Sequence, residues 1–432
     1  MIISLVAIVL LFTLVMLGLP ISFALFMIGY AGVWFLKGFG VANSVVHYAP
    51  LGAVLAGEVS TLPLFILIGA IALSAGVASD GFKVARAWLG RMPGGLGVAT
   101  ITASSVFAAC SGSATAGAVT MGKLTIPEMK ANRYSGSLAA GIVGAGGLMA
   151  TTIPPSGMLV LYGIVSNESI GKLLIAGVIP GIVLTLMFAG AIVLAAILYP
   201  QSAPLSKETY TWKERFRVLP RLWGVVVIFG TIFLGLFTGF FTPNESAAWG
   251  TLFAAVLLFV RARKRFFREF FKACVDSALI TVSIFFLVLG AFVFSNFLII
   301  AGLPEQISKT VVSLEMPPFV VLTVIISTFF VLGMFMDGVT ITLLAVPIYY
   351  PVITQIGFDG IWFGIILVSM TDIGCLTPPF GIVAYVINAI SPEINLVEVF
   401  KGCFLFVIID LLCVILLCFF PEIVTWLPSL MG

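Results

Sequence analysis

The sequence has 432 residues, of which 61% are hydrophobic and 9% are charged, and its formal net charge is +3 at pH 7. A chain of this composition cannot cover its apolar side chains with a polar surface, which excludes a water-soluble globular protein. Long apolar segments predict helices that span a membrane, and no series of short alternating strands competes with them. We therefore predict an all-α polytopic membrane protein with membrane lipid around it.

Residues 1–60 are predicted to form scaffold helices and a connector. No Lys or Arg precedes Lys37, and no small-x-small cleavage site follows the first apolar segment. This pattern predicts a retained helix and not a signal peptide. His47 is the only histidine of the chain, so a site with several histidine ligands is excluded, and we expect a surface or interface role for it.

Most of the basic residues fall into four clusters, and each cluster lies next to an apolar segment. The clusters span Lys83–Arg91, Lys130–Arg133, Lys207–Arg221 and Arg261–Lys272. Because positive residues remain on the cytoplasmic side, these clusters predict a periplasmic N-terminus. The alternative, that basic runs bind nucleic acid, is disfavoured by their position beside membrane segments, so no nucleic-acid partner is expected.

The two halves of the sequence are similar to one another in the same order. The matching pairs are "FILIGAI" from Phe65 with "FLVLGAF" from Phe286, "AVTMGKLTIP" ending at Pro127 with "GVTITLLAVP" ending at Pro347, and "TIPPSG" from Thr152 with "LTPPFG" from Leu376. Arg91 and Lys130 flank these segments in the first half, whereas the region of Glu315 and the stretch after Pro347 in the second half carry almost no basic residues. The halves are therefore predicted to cross the membrane in opposite directions, an inverted-topology repeat found in many secondary transporters.

Each half is predicted to contain an amphipathic connector, a re-entrant hairpin and a broken helix. The connectors are Ser79–Gly90 and Pro304–Leu314, and the hairpins run from Gly97 to Met129 and from Phe319 to Ile353. The predicted domains are a transport domain at 61–166 and 263–392, scaffold helices at 167–262 in addition to 1–60, and a closing helix at 393–432. The hairpin tips, "CSGSATAG" and "GMFMDG", are polar or small where a spanning helix would be apolar.

The two proline pairs are predicted to create ion-binding sites. A pair of prolines removes amide donors and interrupts the helix, leaving free carbonyls on one side and free amides on the other. Such oxygens suit a hard cation such as sodium, and sequence order favours pairing of tip and break within each half. The predicted sodium ligands are Ser111, Gly112, Ser113, Thr115, Thr152 and Pro154 in the first half and Gly333, Asp337, Gly338, Thr340, Thr377 and Pro378 in the second. The alternative is that both kinks are packing devices.

A substrate anion would lie beside the sodium ions. The predicted substrate contacts are Ser113, Thr151, Ser156, Gly157 and Gly381. Between Ala273 and Phe400 the only basic residue is Lys309, so helix N-termini, hydroxyls and bound sodium are expected to meet a carboxylate. The alternative is a direct salt bridge from Lys123 or from an arginine of the scaffold.

Acidic residues in apolar segments are costly in lipid and are therefore candidates for function. Asp337 lies at the second tip, where it is a candidate for ion binding or for stabilising the tip, and Asp372 lies before the second break, where it is a candidate for ion binding. The alternative for both is structural hydrogen bonding. Asp410 and Glu245 are expected to mediate helix contacts. Neither a nucleophile–base pair nor a metal cluster is visible, so an enzyme is the remote alternative, and a P-loop motif is absent.

Taken together, the segment from Gly94 to Gly141, "TTIPPSGMLVLYG", "FTPNESAA", "MDGVTITLLAVPIYYPV" and "LTPPFGIVAYVI" resemble the large membrane subunit of tripartite ATP-independent periplasmic (TRAP) transporters. The resemblance covers essentially the whole chain. It departs from the family at "CSGSATAG", where many relatives carry a doubled serine, which affects the assignment of the hydroxyl ligands.

The resemblance implies an elevator-type carrier in the bacterial inner membrane that is driven by Na+. It also implies a small four-helix membrane subunit as a separate chain and a soluble periplasmic substrate-binding protein. The substrates it implies are organic acids such as sialic acid, C4-dicarboxylates and sugar acids, with the sialic-acid branch nearest. The alternative of the same architecture is a stand-alone sodium/carboxylate symporter.

Overall fold

The computed structural model describes residues 2–55, 60–205, 210–313 and 316–431, and every regular element in these ranges is helical. The helices of the first half are α1 (Ile2–Met16), α2 (Ile21–Lys37), α3 (Phe39–Leu55), α4 (Thr61–Ser74), α5 (Val77–Leu89), α6 (Gly95–Ser111), α7 (Ala114–Ala131), α8 (Gly136–Thr152), α9 (Gly157–Ser166), α10 (Ile170–Ala176) and α11 (Val178–Leu198).

The helices of the second half are α12 (Trp212–Val218), α13 (Trp223–Phe237), α14 (Pro243–Ala262), α15 (Phe266–Ile300), α16 (Leu303–Ser313), α17 (Pro318–Gly333), α18 (Gly338–Gln355), α19 (Gly360–Leu376), α20 (Ile382–Ile390), α21 (Leu396–Phe419) and α22 (Glu422–Ser429). Five helical stretches in the described residues are long and apolar enough to cross a membrane, or up to seven if each of two bent pairs is one span. The predicted all-α polytopic membrane protein is confirmed.

The two amphipathic connectors form where the sequence predicts them, each within two residues of its start. α5 follows α4 after a bend of 63° at Gly76, and α16 follows α15 at Gly302. Both glycines have positive φ, 77° and 71°, which L-residues with a side chain rarely adopt. Leu314, the predicted end of the second connector, lies outside the described residues.

Both hairpins are present and turn at the predicted tips. α6 and α7 are joined at Gly112, whose φ of 60° reverses the chain. α17 and α18 are joined by Met334–Asp337. Each second arm begins with a side-chain cap, since Ser113 accepts from the amide of Ala116 and Asp337 accepts from the amide of Thr340.

The proline pairs interrupt two deeply buried helices. α8 and α9 are bent by 40° around Pro154–Pro155, and α19 and α20 are separated by Thr377–Gly381. Both Pro–Pro bonds are cis. Every residue from Leu138 to Thr152 in α8 and from Trp362 to Leu376 in α19 is buried, so the breaks sit at the ends of the most enclosed helices of the fold.

The closing helix α21 packs on α8 by backbone contact. A Cβ atom added to Gly402 would overlap the carbonyl of Ser137, and one added to Gly141 would overlap the carbonyl of Gly402. Without side chains at these positions the two helices approach closely, as is common between helices in lipid.

Candidate functional site

Both hairpin tips and both broken helices contribute to one cavity of about 920 Å³. The predicted site residues that line it are Gly112, Ser113, Thr115, Thr151, Gly157, Asp337 and Gly338. The predicted residues that do not line it are Thr152, Pro154, Ser156, Gly333, Thr340, Thr377, Pro378 and Gly381. The side chain of Ser111 lies outside the part of the chain that the structure describes.

The first tip lies directly beside the first break. A Cβ atom added to Gly112 would lie 3.4 Å from the amide nitrogen of Gly157 and 3.5 Å from the carbonyl oxygen of Pro155. The oxygens of Ser113 and Thr115 are 3.2 Å apart. A backbone amide, a carbonyl and two hydroxyls therefore lie close together where the first tip contacts the first break, and none of these groups carries a formal charge.

The second tip carries a carboxylate that is already engaged. Asp337 accepts hydrogen bonds from the Thr340 hydroxyl at 2.7 Å and from its amide at 3.3 Å, which caps α18. Gly333 packs against α19, where an added Cβ atom would lie 2.8 Å from the carbonyl oxygen of Thr371. The tip also reaches the second break through the rings of Phe335 and Phe380, whose centroids are 5.7 Å apart.

The two halves also meet each other, which pairing by sequence order does not predict. The Thr151 hydroxyl, before the first break, donates to the carboxylate of Asp372, before the second break. Gly338 of the second tip lies beside Met158 of α9, since an added Cβ atom would lie 2.6 Å from the Met158 methyl carbon. Asp372 is 3% exposed and lines the cavity, so a buried carboxylate joins the predicted sites at their centre.

The cavity is also lined by α4 and α15, and α15 contributes a basic residue that the sequence analysis did not assign to the site. Glu269, Lys272 and Asp276 line the cavity, whereas Lys123 is exposed and does not. Lys272 is the last residue of the basic cluster Arg261–Lys272, which the sequence predicts as a cytoplasmic flank and not as part of the cavity. Helical periodicity would have found Lys272, because it lies one turn before Asp276 on the same face of α15.

Two acids outside the cavity, Glu245 and Asp410, are predicted to mediate helix contacts. Glu245 forms a capping box with Thr242, accepting from its amide at 2.8 Å, and so stabilises the start of its own helix, not a helix contact. Asp410 is buried, and neither of its carboxylate oxygens has a hydrogen-bond partner among the described residues. Among the described residues, no group of three or more His, Cys, Asp or Glu side chains is placed to hold a metal ion.

Ion pairs tie the connectors and loops to the rest of the fold. Asp80 of α5 pairs with Arg261 of α14, and it lies 3.7 Å from Arg221. Lys130, at the end of the first hairpin, donates to Glu393, after the second broken helix, at 2.8 Å. This hydrogen bond lowers the pKa of Glu393 below its usual value.

Comparison with solved structures supports the fold. The crystal structure of the YdaH transporter of Alcanivorax borkumensis superposes with a TM-score of 0.61, covering 92% of this chain and 90% of that chain, at 14% identity.

Comparison of sequences supplies the family. The chain is 32% identical over 375 residues to the C4-dicarboxylate TRAP transporter large permease protein DctM of Pseudomonas aeruginosa, covering 86% of each. It is 31% identical to the ectoine TRAP transporter large permease protein TeaC of Halomonas elongata, covering 96% of this chain and 97% of that protein. It is 28% identical to the sialic acid TRAP transporter large permease protein SiaM of Vibrio cholerae, covering 96% and 95%. Residues 8–423 match the family described as the tripartite ATP-independent periplasmic transporter, DctM component, and the chain therefore belongs to this family of large permeases.

Proposed function

We propose that this chain carries an organic acid across the bacterial inner membrane together with sodium ions, as the carrier subunit of a tripartite system. The observation that supports this most directly is the shared cavity, in which tips and breaks of both halves surround Asp372. Carboxylate, hydroxyl and carbonyl oxygens are ligands for a hard cation, and the amides at the start of a half-helix favour an anion.

The proposed sodium ligands keep lone pairs free for a cation. Thr377 donates its proton to the carbonyl of Ile373 at 2.7 Å, and Thr340 donates to Asp337. A hydroxyl that donates its only proton within the protein presents its oxygen to an ion. In this proposal Ser113 and Gly112 hold one ion, Asp337 and Thr340 hold a second, and the Asp372 carboxylate lies between the two ions. The substrate carboxylate meets the amide of Gly157 beside the first ion.

Sodium and substrate are coupled because they share the same tips. An ion that bridges a tip and a break orders both, and the substrate then meets a preformed surface. Each ligand therefore raises the affinity of the other by the same factor.

We propose an elevator motion as the transport step. The transport domain, 61–166 and 263–392, moves against scaffold helices 1–60 and 167–262, and the connectors bend at Gly76 and Gly302. Cysteine pairs placed between α14 and α4 are expected to crosslink at different rates with and without sodium. Pairs between α11 and α6, which share the 2.9 Å hydrogen bond between Thr185 and Ser105, test whether α11 moves with the hairpin. Rates that never change in either set would contradict the elevator.

The partners follow from the family and its relatives. We propose a separate small membrane subunit and a soluble periplasmic binding protein that delivers the substrate, with the N-terminus of this chain in the periplasm. The named substrates of the relatives are C4-dicarboxylates, 2,3-diketo-L-gulonate, ectoine and sialic acid, so an organic acid of this range is the proposed cargo.

Reconstitution tests the proposal. The chain and its small subunit are placed in liposomes with candidate binding proteins loaded with radiolabelled acids, and uptake is measured under an inward sodium gradient. We expect uptake that needs both sodium and the binding protein and stops when an ionophore collapses the gradient. Uptake driven equally well by potassium would contradict sodium coupling, and uptake of free substrate without binding protein would favour a stand-alone symporter.

A further inference from the structure

One face of α15 forms a wall of the cavity with an uneven distribution of charge. Glu269, Lys272 and Asp276 line its first turns, and the apolar residues Leu279, Ile280 and Ile284 line the turns that follow. At a rise of 1.5 Å per residue, Lys272 and Ile284 are about 18 Å apart along the helix axis. The wall is thus charged at the end that adjoins the basic segment 261–268 and apolar at the other.

The charged end is the part of the cavity whose ionic groups have no partner. The side chains of Glu269, Lys272 and Asp276 form no hydrogen bond or ion pair with another described residue. Asp337 and Asp372, in contrast, both accept hydrogen bonds from threonines. Lys272 is also the only basic residue among the described residues that line the cavity.

We propose that Glu269, Lys272 and Asp276 form a second binding station that holds the substrate at the charged end of the cavity and selects its class. Lys272 takes one carboxylate, and Glu269 and Asp276 accept hydrogen bonds from donors on the rest of the molecule. The preferred substrate is therefore a monocarboxylate that bears hydroxyl or ammonium groups. This inference rests on the proposed transport of an organic acid.

The spacing of the three residues explains the preference. Side chains three and four positions apart on a helix are about 5–6 Å apart at their Cβ atoms, so an acidic group flanks Lys272 on each side. A second carboxylate on the substrate would approach one of these acids, and like charges placed together are an effective means of rejecting the wrong ligand. A hydroxyl or ammonium group donates to the same acid instead.

Three probes of equal chain length test the station. 4-Hydroxybutyrate, 4-aminobutyrate and succinate share one carboxylate and differ only at the other end. Their affinities are measured by isothermal titration calorimetry on the purified complex of this chain with its small subunit, in sodium buffer. We expect the first two to bind about tenfold more tightly than succinate.

Variants separate the two roles of the station, which are binding of one carboxylate by Lys272 and rejection of a second carboxylate by Glu269 and Asp276. Lys272→Gln is expected to weaken all three probes about tenfold, and the double variant Glu269→Gln/Asp276→Asn is expected to abolish the discrimination against succinate. Lys264→Gln is the matched control, because Lys264 lies in the same basic segment but does not line the cavity. It should leave all affinities unchanged.

Three results would overturn the station: succinate binding the wild type as tightly as the other probes, no probe binding at all, or Lys272→Gln behaving like Lys264→Gln. The proposed function is tested separately by sodium dependence. Sodium-driven uptake of succinate would support the proposed function and contradict the binding station. Uptake that does not depend on sodium would contradict the proposed function, and the station would then be tested only by the ranking of the probe affinities.

Discussion

The two halves use the same backbone device in different chemical surroundings. The first break is enclosed, with Pro154, Pro155 and Ser156 all buried, whereas Pro378 and Pro379 of the second break are exposed. The tip of the first half is capped by a serine hydroxyl and that of the second by a carboxylate. Symmetry of the chain trace therefore does not imply chemically equivalent surroundings, since the first tip presents neutral groups and the second presents a carboxylate.

The largest expected effect is at the point where the halves meet. Asp372→Asn removes the central carboxylate but keeps an acceptor for Thr151. We expect sodium affinity to fall about tenfold to hundredfold, the range typical of a buried charged interaction. The measurement is the sodium dependence of uptake in proteoliposomes. Asp410→Asn is the control, because Asp410 is equally buried but does not line the cavity, and equal losses in both variants would contradict the role of Asp372.

The charge of the second tip is expected to matter next most. Asp337→Asn keeps the cap of α18, because Asn and Asp are comparable N-caps, and removes only the charge. Sodium affinity should fall about tenfold while the melting temperature in detergent stays unchanged. A large loss of melting temperature with normal sodium affinity would show that Asp337 acts only as a cap.

Neutral oxygens in the two halves are expected to have smaller effects. Ser113→Ala and Thr377→Val each remove one hydroxyl and nearly conserve size, so sodium affinity should fall about threefold to tenfold at normal expression. Ser113→Ala also removes a cap, at about 1 kcal/mol, and Ser113→Gly, which costs only a few tenths, separates the cap from the ligand. Unchanged sodium dependence in both hydroxyl variants would remove these residues from the proposed coordination.

The smallest effect is expected at the exposed link between the halves. Lys130→Ala removes the partner of Glu393, an exposed pair of the kind that contributes little to stability. The pKa of Glu393 is lowered in the folded protein, so the contribution of the pair is present above the usual value of 4.5 and is lost as pH falls through the lowered value. The melting temperatures of wild type and variant should therefore become more similar as the pH is lowered. A difference in melting temperature that increases at low pH would contradict this prediction.

Local signals explain why so much of the fold was predictable. Proline, glycine and short polar residues mark the tips, the breaks and the starts of both connectors, and each constrains the backbone of its neighbours in sequence. The capping box at Glu245 was equally readable, as Thr-x-x-Glu before an apolar run, and was missed. The contact between Thr151 and Asp372 spans 221 positions, and a repeat reveals which segments correspond but not how they pack against each other.

The backbone contact between α8 and α21 has a genetic consequence. Gly141 and Gly402 do not line the cavity, yet neither has room for one methyl group. In lipid there is little hydrophobic driving force for two helices to associate, so van der Waals contact between closely packed backbones is a main source of their association. Gly141→Ala and Gly402→Ala should therefore abolish growth that depends on transport. Second-site mutations that restore growth should lie in the facing helix and not among the proposed ion ligands.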